Sequence, residues 1–280
     1  MNIPGEDMVN QSTLNEKEQR LREQLRDLGS ILVAYSGGVD SSFLAKVASE
    51  ELAEYALAVT AASEAFPKWE RDEACALAKE HGIRHRLLET SELAIPGFRE
   101  NPHDRCYYCK SELFSSLGKL AESEGISYVA DGTTADDAAD YRPGWKAARE
   151  HRVISPLYDN NLHKEEIREL SQSKGLPTWN KATFACLASR IPYGEEITAE
   201  KLQAVEKAED VLRARNFRQY RVRHHGNLAR IEVLAEDIPR LATEVRSEIV
   251  TEVKNLGFQY VTLDLSGYRE GSMNETLSGT

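Results

Sequence analysis

The segment Ile31-Leu32-Val33-Ala34-Tyr35-Ser36-Gly37-Gly38-Val39-Asp40-Ser41-Ser42 constrains this chain more than any other. Its first five residues are apolar without alternation, which reads as a strand buried on both faces, the kind found in parallel sheets. Beyond the loop, Phe43, Leu44, Val47 and Leu52 recur at helical spacing. A strand entering a helix through a glycine-bearing loop is half of a parallel crossover unit, and ligands of such sheets sit where strands end. Paired glycines let backbone N–H groups approach an anion with no Cβ in the way. The serine hydroxyls add donors, and the helix N-terminus favours negative charge. Ser36, Gly37, Gly38, Asp40, Ser41 and Ser42 are therefore candidate phosphate-binding residues, with Asp40 suited to a magnesium ion bridging phosphate oxygens. The loop has neither the lysine of a Walker A motif nor the third glycine of a dinucleotide fingerprint.

The same alternation continues along the chain. Residues 56–60 read as a second strand, 71–81 as a helix closed by Gly82, and 86–88 as a third strand. A helix over 113–125 and a strand over 128–130 follow, ending at Asp131-Gly132. Ahead of them, Leu14, Leu21, Leu25 and Leu28 form one stripe of a helix over 12–28. After about residue 193 the pattern changes. It reads as a helix over 198–215 with Thr198 as N-cap, then strands over 219–223 and 229–233 turning at His225-Gly226-Asn227. A helix over 241–256 and a last strand over 260–265 complete it. The expected fold is α/β: a Rossmann-like parallel sheet over residues 1–190 and a smaller α/β domain over 191–280. A chain of 280 residues is long enough for both.

A formal net charge of −11 argues against a broad nucleic-acid surface, which needs clustered lysines and arginines, yet leaves room for a local anion pocket. No apolar run approaches the ~18 residues that span a bilayer. The polar, acidic N-terminus is neither a signal nor a basic transit peptide. The expectation is a cytoplasmic protein with neither nucleic acid nor membrane as partner. There, the four cysteines point to metal binding or catalysis rather than to disulfides. Cys106-Tyr107-Tyr108-Cys109 brings two thiolates within reach of one metal centre, and by itself fits zinc, an iron–sulfur cluster or a redox pair. Cys75 lies in a helical pattern, Glu73-Ala74-Cys75-Ala76-Leu77, and reads as a buried, inert thiol. Cys106, Cys109 and Cys186 remain as candidate metal ligands, and three ligands would leave one cluster iron open.

Three further strings carry chemistry. Asp131-Gly132-Thr133-Thr134-Ala135-Asp136-Asp137, leading to Asp140-Tyr141-Arg142-Pro143-Gly144, crowds carboxylates at a strand end. Such crowding calls for cations or donors, which a second magnesium contact or recognition of a ribose or cationic ring would supply. In the segment from Trp179-Asn180-Lys181 to Pro192-Tyr193-Gly194, Cys186 precedes Ser189-Arg190, a nucleophile beside an anion-binding arginine. Arg221 and Arg223 alternate on one strand face, so both guanidiniums can converge on one phosphate.

The string from Ser36 to Ser42 resembles the PP-loop of the ATP pyrophosphatases, the group of GMP synthetase, NAD synthetase, argininosuccinate synthetase and the tRNA thiolases. That resemblance implies an adenine nucleotide alpha hydrolase-like fold, ATP and magnesium as cofactors, and release of pyrophosphate. Over residues 25–276 the chain further resembles the LarE family, ATP-dependent sulfur transferases that make the nickel-pincer nucleotide cofactor of lactate racemase. The strings carrying it are the PP-loop, Asp140-Tyr141-Arg142-Pro143-Gly144, the Trp179 to Gly194 segment, Arg221-Val222-Arg223 and Tyr260-Val261-Thr262-Leu263-Asp264-Leu265. It implies adenylation of a carboxylate of pyridinium-3,5-biscarboxylic acid mononucleotide and its conversion to a thiocarboxylate.

One subgroup of that family sacrifices a cysteine and is left with dehydroalanine. Another carries three cysteines that match a [4Fe-4S] site and acts repeatedly. Cys186 matches the sulfur-donor position, and Cys106 and Cys109 match the extra pair, so the chain resembles the cluster-bearing kind. By the same resemblance Asp40 and Cys186 take the catalytic roles, Ser189, Arg190, Arg221 and Arg223 contact the substrate, and Glu209 falls near a metal-contacting acid. Sulfide or a sulfur donor and a homo-oligomer, a hexamer in related proteins, are implied likewise. Two rivals stand beside it: an ammonia-using PP-loop ligase, similar to the queuosine-precursor synthase, with the cysteines on zinc, and an ATP- or redox-sensing module. Pyrophosphate release separates the module from both enzymes.

Overall fold

The computed structural model describes residues 4–139, 143–183 and 185–269, which fall into two compact units. The first holds 4–63, 68–90 and 106–183, and the second 64–67, 91–105 and 185–269. The chain thus passes into the second unit slightly before the expected boundary at 190, and two short earlier stretches belong there too. Residues 140–142 of the Asp140-Tyr141-Arg142-Pro143-Gly144 string, Phe184 and residues 270–280 lie outside the described residues.

The first unit contains α1 (Pro4–Leu28), β1 (Ile31–Ala34), α2 (Val39–Leu52), β2 (Ala56–Ala62), α3 (Lys68–Glu80) and β3 (His85–Glu89). They are followed by α4 (Arg105–Ser123), β4 (Tyr128–Ala130), α5 (Pro143–Glu150), α6 (Pro156–Asp159) and α7 (Lys164–Ser173). Its four strands run parallel in the order β3-β2-β1-β4. Ile31 is level with Ala56 on one side and with Tyr128 on the other. Ile31 and Val33 pack with Leu21, Phe43, Leu77 and Leu170 on one face, and Leu32 packs with Phe114, Leu117 and Ala147 on the other. Both faces are covered, which is why β1 carries no polar residue. The sheet grows from β1 to β3, then the chain returns to add β4 on the far side of β1. That reversal opens a crevice at the carboxyl ends of β1 and β4, the ends that carry the two glycine-bearing loops.

The second unit contains α8 (Ala199–Arg213), β5 (Tyr220–His225), β6 (Leu228–Val233), α9 (Ile238–Thr243), α10 (Arg246–Asn255) and β7 (Tyr260–Leu263). Thr198 caps α8, its hydroxyl accepting from the Lys201 N–H at 3.3 Å. β5 and β6 are antiparallel, and β7 joins β6 in parallel. Tyr220, Val222, Ile231 and Val233 pack on Leu212, Ile249 and Val253. Period-two alternation then puts Arg221, Arg223 and Glu232 together on the other face.

Two expectations are corrected. The helix expected over 241–256 is two helices, α9 and α10, broken at Glu244-Val245. Cys75 is half-buried rather than a core thiol. On α3 the buried stripe is Glu70, Ala74, Leu77 and Ala78. Cys75 stands about 100° round the helix from Ala74, at the edge of that stripe. Burial and the Asp72 carboxylate still raise its thiol above the ordinary range, so it stays protonated. Among the described residues no helix is long and apolar enough to cross a membrane.

Candidate active site

The PP-loop turns between Ala34 and Val39 with Gly37 at φ +70, a conformation that favours glycine. Space demands glycine there as well: a Cβ at this position would lie 2.6 Å from the Ala74 Cβ on α3. The loop is held from within by its serines. Ser41 Oγ accepts from the Ser36 N–H at 3.2 Å and lies 3.1 Å from Ser36 Oγ, while the Gly38 N–H donates to Ser36 Oγ at 3.3 Å. Gly38 forms the N-terminal boundary of α2, with no side-chain cap on that helix. The first N–H groups of α2 therefore belong to an anion-ready helix terminus. From the other side of the crevice comes Gly132, where a Cβ would lie 3.0 Å from the Ser41 nitrogen. The two strand ends touch through glycine, bringing the Asp131 loop against the phosphate loop.

Asp40 sits in the first turn of α2, half-buried. Burial pushes its carboxyl up to about 6, with Asp137 and Asp136 adding to the rise and Lys164 and Arg168 opposing it. A carboxylate so placed favours a cation at its oxygens, which is the donor chemistry a magnesium ion on phosphate requires. Among the described residues no three His, Cys, Asp or Glu side chains could hold an ion by themselves. An ion bridging Asp40 to phosphate oxygens needs only the one.

The acidic loop is compensated in part by donors and cations of its own surroundings. Asp131 accepts from the Thr133 N–H, the Thr133 hydroxyl and the Ser155 hydroxyl at 3.1, 2.9 and 2.8 Å. Asp137 accepts from the N–H and hydroxyl of Thr134, both at 2.9 Å, and pairs with Lys164 at 3.2 Å. Asp136 accepts from the Lys164 N–H at 2.7 Å and meets His163 at 3.1 Å, which holds its carboxyl below the ordinary range. Lys164, at the start of α7, pairs with these acids, and the motifs of the sequence do not single it out. Its only signal is a lysine at a helix start 27 residues beyond Asp137 in the chain, too distant to pair by spacing.

The cysteine pair opens α4: Cys106 is exposed and Cys109 half-exposed. Their i, i+3 spacing sets both thiols on one helix face. Cys186, also exposed, belongs to the second unit, immediately before the 3₁₀ turn Leu187–Arg190. Arg190 closes that turn from inside. It is fully buried, forks onto Glu209 at 2.8 and 2.9 Å, and donates to the Cys186 carbonyl at 2.9 Å and to Ser189 Oγ at 3.0 Å. Expected to contact the substrate's anion, Arg190 is placed as the strut that shapes the Cys186 turn. Glu209, which by the resemblance falls near a metal-contacting acid, accepts from Arg190 and from the Val222 N–H at 3.0 Å.

Arg221 and Arg223 do share a strand face, and both are buried. Arg223 forks onto Glu232 at 3.0 and 2.8 Å and donates to the Ser189 carbonyl at 3.0 Å. Arg221 lies over the Tyr268 ring, 5.1 Å from its centroid. Burial, then the Arg190 charge, lower its guanidinium to about 10. A buried cation crowded by another favours an incoming anion. Arg223→Ala is accordingly expected to cost the fold about 1.5–3 kcal/mol, since Glu232 loses its buried fork and keeps Arg230 at 3.1 Å, read as a fall in the urea midpoint. Arg221→Ala is expected to keep the fold and raise the substrate's KM by the equivalent of about 1.5–3 kcal/mol. Equal loss of ATP binding would place Arg221 elsewhere.

Comparison with known proteins agrees with this geometry. The family model described as asparagine synthase matches residues 18–230. The chain is 37% identical over 268 residues to the pyridinium-3,5-bisthiocarboxylic acid mononucleotide synthase of Lactiplantibacillus plantarum, covering 95% of this chain and 97% of that one. It is 47% identical over 266 residues to an uncharacterised protein of Synechocystis, covering 95% and 99%. It is 25% identical over 211 residues to a glutamine-hydrolysing GMP synthase component of Thermoplasma volcanium, covering 69% and 67%. With a phosphate loop at the switch point of a parallel sheet and a relative aligned almost end to end, the chain belongs to the pyridinium-3,5-bisthiocarboxylic acid mononucleotide synthase family, within the PP-loop proteins matched by the asparagine synthase model.

Proposed function

We propose that the protein is an ATP-dependent sulfur transferase that adenylates a carboxylate of pyridinium-3,5-biscarboxylic acid mononucleotide and converts it to a thiocarboxylate. The observation that carries this reading is the PP-loop, with Gly37 closed to any side chain by Ala74, Gly132 of the neighbouring strand end set against Ser41, and Asp40 in the first turn of α2. The end-to-end likeness to the synthase of Lactiplantibacillus plantarum supplies the substrate class.

A carboxylate is a poor electrophile because its charge and resonance protect the carbon. In the first half-reaction a substrate carboxylate oxygen attacks the α-phosphorus of ATP, and the bond to pyrophosphate breaks. Backbone N–H groups of the loop and of the α2 start hold the triphosphate, with Asp40 as the magnesium contact. In the second, a sulfur nucleophile adds to the activated carbon and AMP leaves with the C–O electron pair. Cys186, exposed on a turn fixed by Arg190, is the sulfur residue of this reading. Arg221 is the contact for the substrate's phosphate, beside Ser189 and Arg223.

On this reading Cys106 and Cys109, on one face of α4, would be two ligands of an iron–sulfur cluster and Cys186 the third; such a cluster would supply sulfide as the nucleophile. A cytoplasmic location and a homo-oligomer complete the reading. The test is to incubate the anaerobically prepared protein with magnesium ATP, the biscarboxylic mononucleotide and sulfide. Pyrophosphate and AMP are expected only when the mononucleotide is present, with a product about 16 Da heavier as sulfur replaces oxygen. Pyrophosphate released with ammonia and no sulfur in the product would favour the ligase.

A further inference from the structure

We propose that Lys181 is a positioning residue of the PP-loop, fixing the Gly37 carbonyl so that the Gly38 N–H is presented to the ATP phosphates. The assignment rests on the loop being the ATP site. Lys181 follows the short turn Pro177–Asn180, whose end is pinned by Arg168 of α7, donating to the carbonyls of Trp179 and Lys181 at 2.6 and 3.2 Å. From there the lysine side chain, only 12% exposed, reaches the loop. Its Nζ donates to the Gly37 carbonyl at 3.2 Å and to Glu73 Oε2 at 2.6 Å, with Glu70 Oε2 at 3.7 Å and the Trp69 ring centroid at 5.6 Å. Trp69, Glu70 and Glu73 all stand on α3, the same helix whose Ala74 leaves no room for a side chain at Gly37.

Two consecutive glycines give a loop many conformations to lose, so an anion-binding arrangement needs an external tether. A trans peptide is planar, with its C=O and N–H pointing in opposite directions. A cation fixed on the Gly37 oxygen therefore turns the Gly38 N–H the other way and polarises it into a stronger donor. That N–H now donates to Ser36 Oγ at 3.3 Å, a long contact that a phosphate oxygen can replace. The ammonium has a second effect. Glu70, almost fully buried, and Glu73 set negative charge beside a loop that must accept a triphosphate, and Lys181 offsets it.

The experiment compares wild type with Lys181→Met, Lys181→Gln and Lys181→Arg. Binding of magnesium α,β-methylene-ATP is measured by calorimetry, and the KM values of ATP and the pyridinium mononucleotide by pyrophosphate release. Lys181→Met is expected to bind the analogue about tenfold more weakly or worse, the equivalent of one charge-assisted contact. The KM of ATP should rise by the same factor while that of the mononucleotide stays put, and Lys181→Arg should recover most of the binding. Lys181→Gln keeps a donor for the Gly37 oxygen without the charge, and covers the case in which the methionine variant does not fold; a several-fold loss is expected. A lower melting temperature with wild-type affinity and KM in the folded variants would make Lys181 merely structural and overturn the assignment. No binding by wild type would instead remove the ATP reading, and the assignment with it.

Discussion

Asp40→Ala protein is expected to keep its fold and release no pyrophosphate above background. The carboxylate stands in the first turn of α2, beside the loop N–H groups and serine hydroxyls assigned above to phosphate binding. On the proposed function its partner would be a magnesium ion, which would supply positive charge to the phosphate oxygens. The resting protein bears a cost for holding it there. Because the folded chain binds the Asp40 proton more tightly than the unfolded chain, stability falls as pH rises between about 4 and 6, from the ordinary 3.8 to the raised value. At pH 7 the ionised group is destabilising, so Asp40→Asn without ATP is expected to be more stable by about 1–3 kcal/mol. Urea titration at pH 5 and pH 7 checks this: the advantage of Asp40→Asn should shrink at the lower pH. The affinity of wild type for magnesium ATP should fall below pH 6, where the proton competes with the ion. Pyrophosphate release by Asp40→Ala at the wild-type rate would remove Asp40 from the chemistry.

The first unit was legible where apolar runs and glycines coincide. β1, its loop and α2 follow directly from five apolar residues, two glycines and a helical stripe, because both faces of that strand are covered and no polar residue interrupts the pattern. α4 was legible only in its second half. Phe114, Leu117 and Ala121 carry the stripe, whereas the first turns hold Arg105, the two cysteines and Tyr107-Tyr108, so the expectation began at residue 113 and the helix at Arg105. The consequence is chemical: Cys106 and Cys109 lie on one helix face rather than in a loop. Residues 143–173 gave no element at all, since α5, α6 and α7 are short and two of them open on prolines that read as breaks.

Polar partnerships were the least legible part of the candidate site. Alternation put Arg221 and Arg223 on one face, and the sheet agrees. Nothing in the spacing said that Glu232 across the hairpin would take the Arg223 fork, or that Glu209 would take Arg190 from a helix 19 residues on. Such pairs are set by tertiary approach, which a one-dimensional pattern does not contain. The same holds for Lys164 on Asp137 and Lys181 on Gly37, both brought in by α7 and the turn after it. Glycine was the exception. Gly37 read as a point where backbone closes on an anion and Gly132 as part of a site wall; a Cβ at Gly37 would meet Ala74 of α3 at 2.6 Å, and one at Gly132 the Ser41 nitrogen of α2 at 3.0 Å.

Cys186→Ala is expected to separate the two half-reactions, with pyrophosphate still released in the presence of the mononucleotide and no thiocarboxylate formed. The Cys186 side chain is exposed, and the turn behind it is held by backbone carbonyls on Arg190, so loss of the thiol leaves that support intact. Two routes of sulfur supply then give opposite results in wild type. If Cys186 itself gives up sulfur, its thiolate forms a thioester with the activated carbon. The Cα proton is lost and the Cβ–S bond breaks, leaving the thiocarboxylate and dehydroalanine. That route allows one turnover and lowers the chain mass by about 34 Da. If Cys106, Cys109 and Cys186 are cluster ligands, anaerobically prepared protein should carry about four irons per chain. Alanine at any of the three should lose most of that iron. With added sulfide, wild type should exceed one turnover at unchanged mass. Iron and sulfide analysis followed by intact-mass spectrometry decides between them. Dehydroalanine at position 186 in reconstituted protein would end the cluster reading and leave the sulfur transferase standing; a single Cys186→Ala variant that still made thiocarboxylate from sulfide would remove Cys186 from the sulfur step under either route.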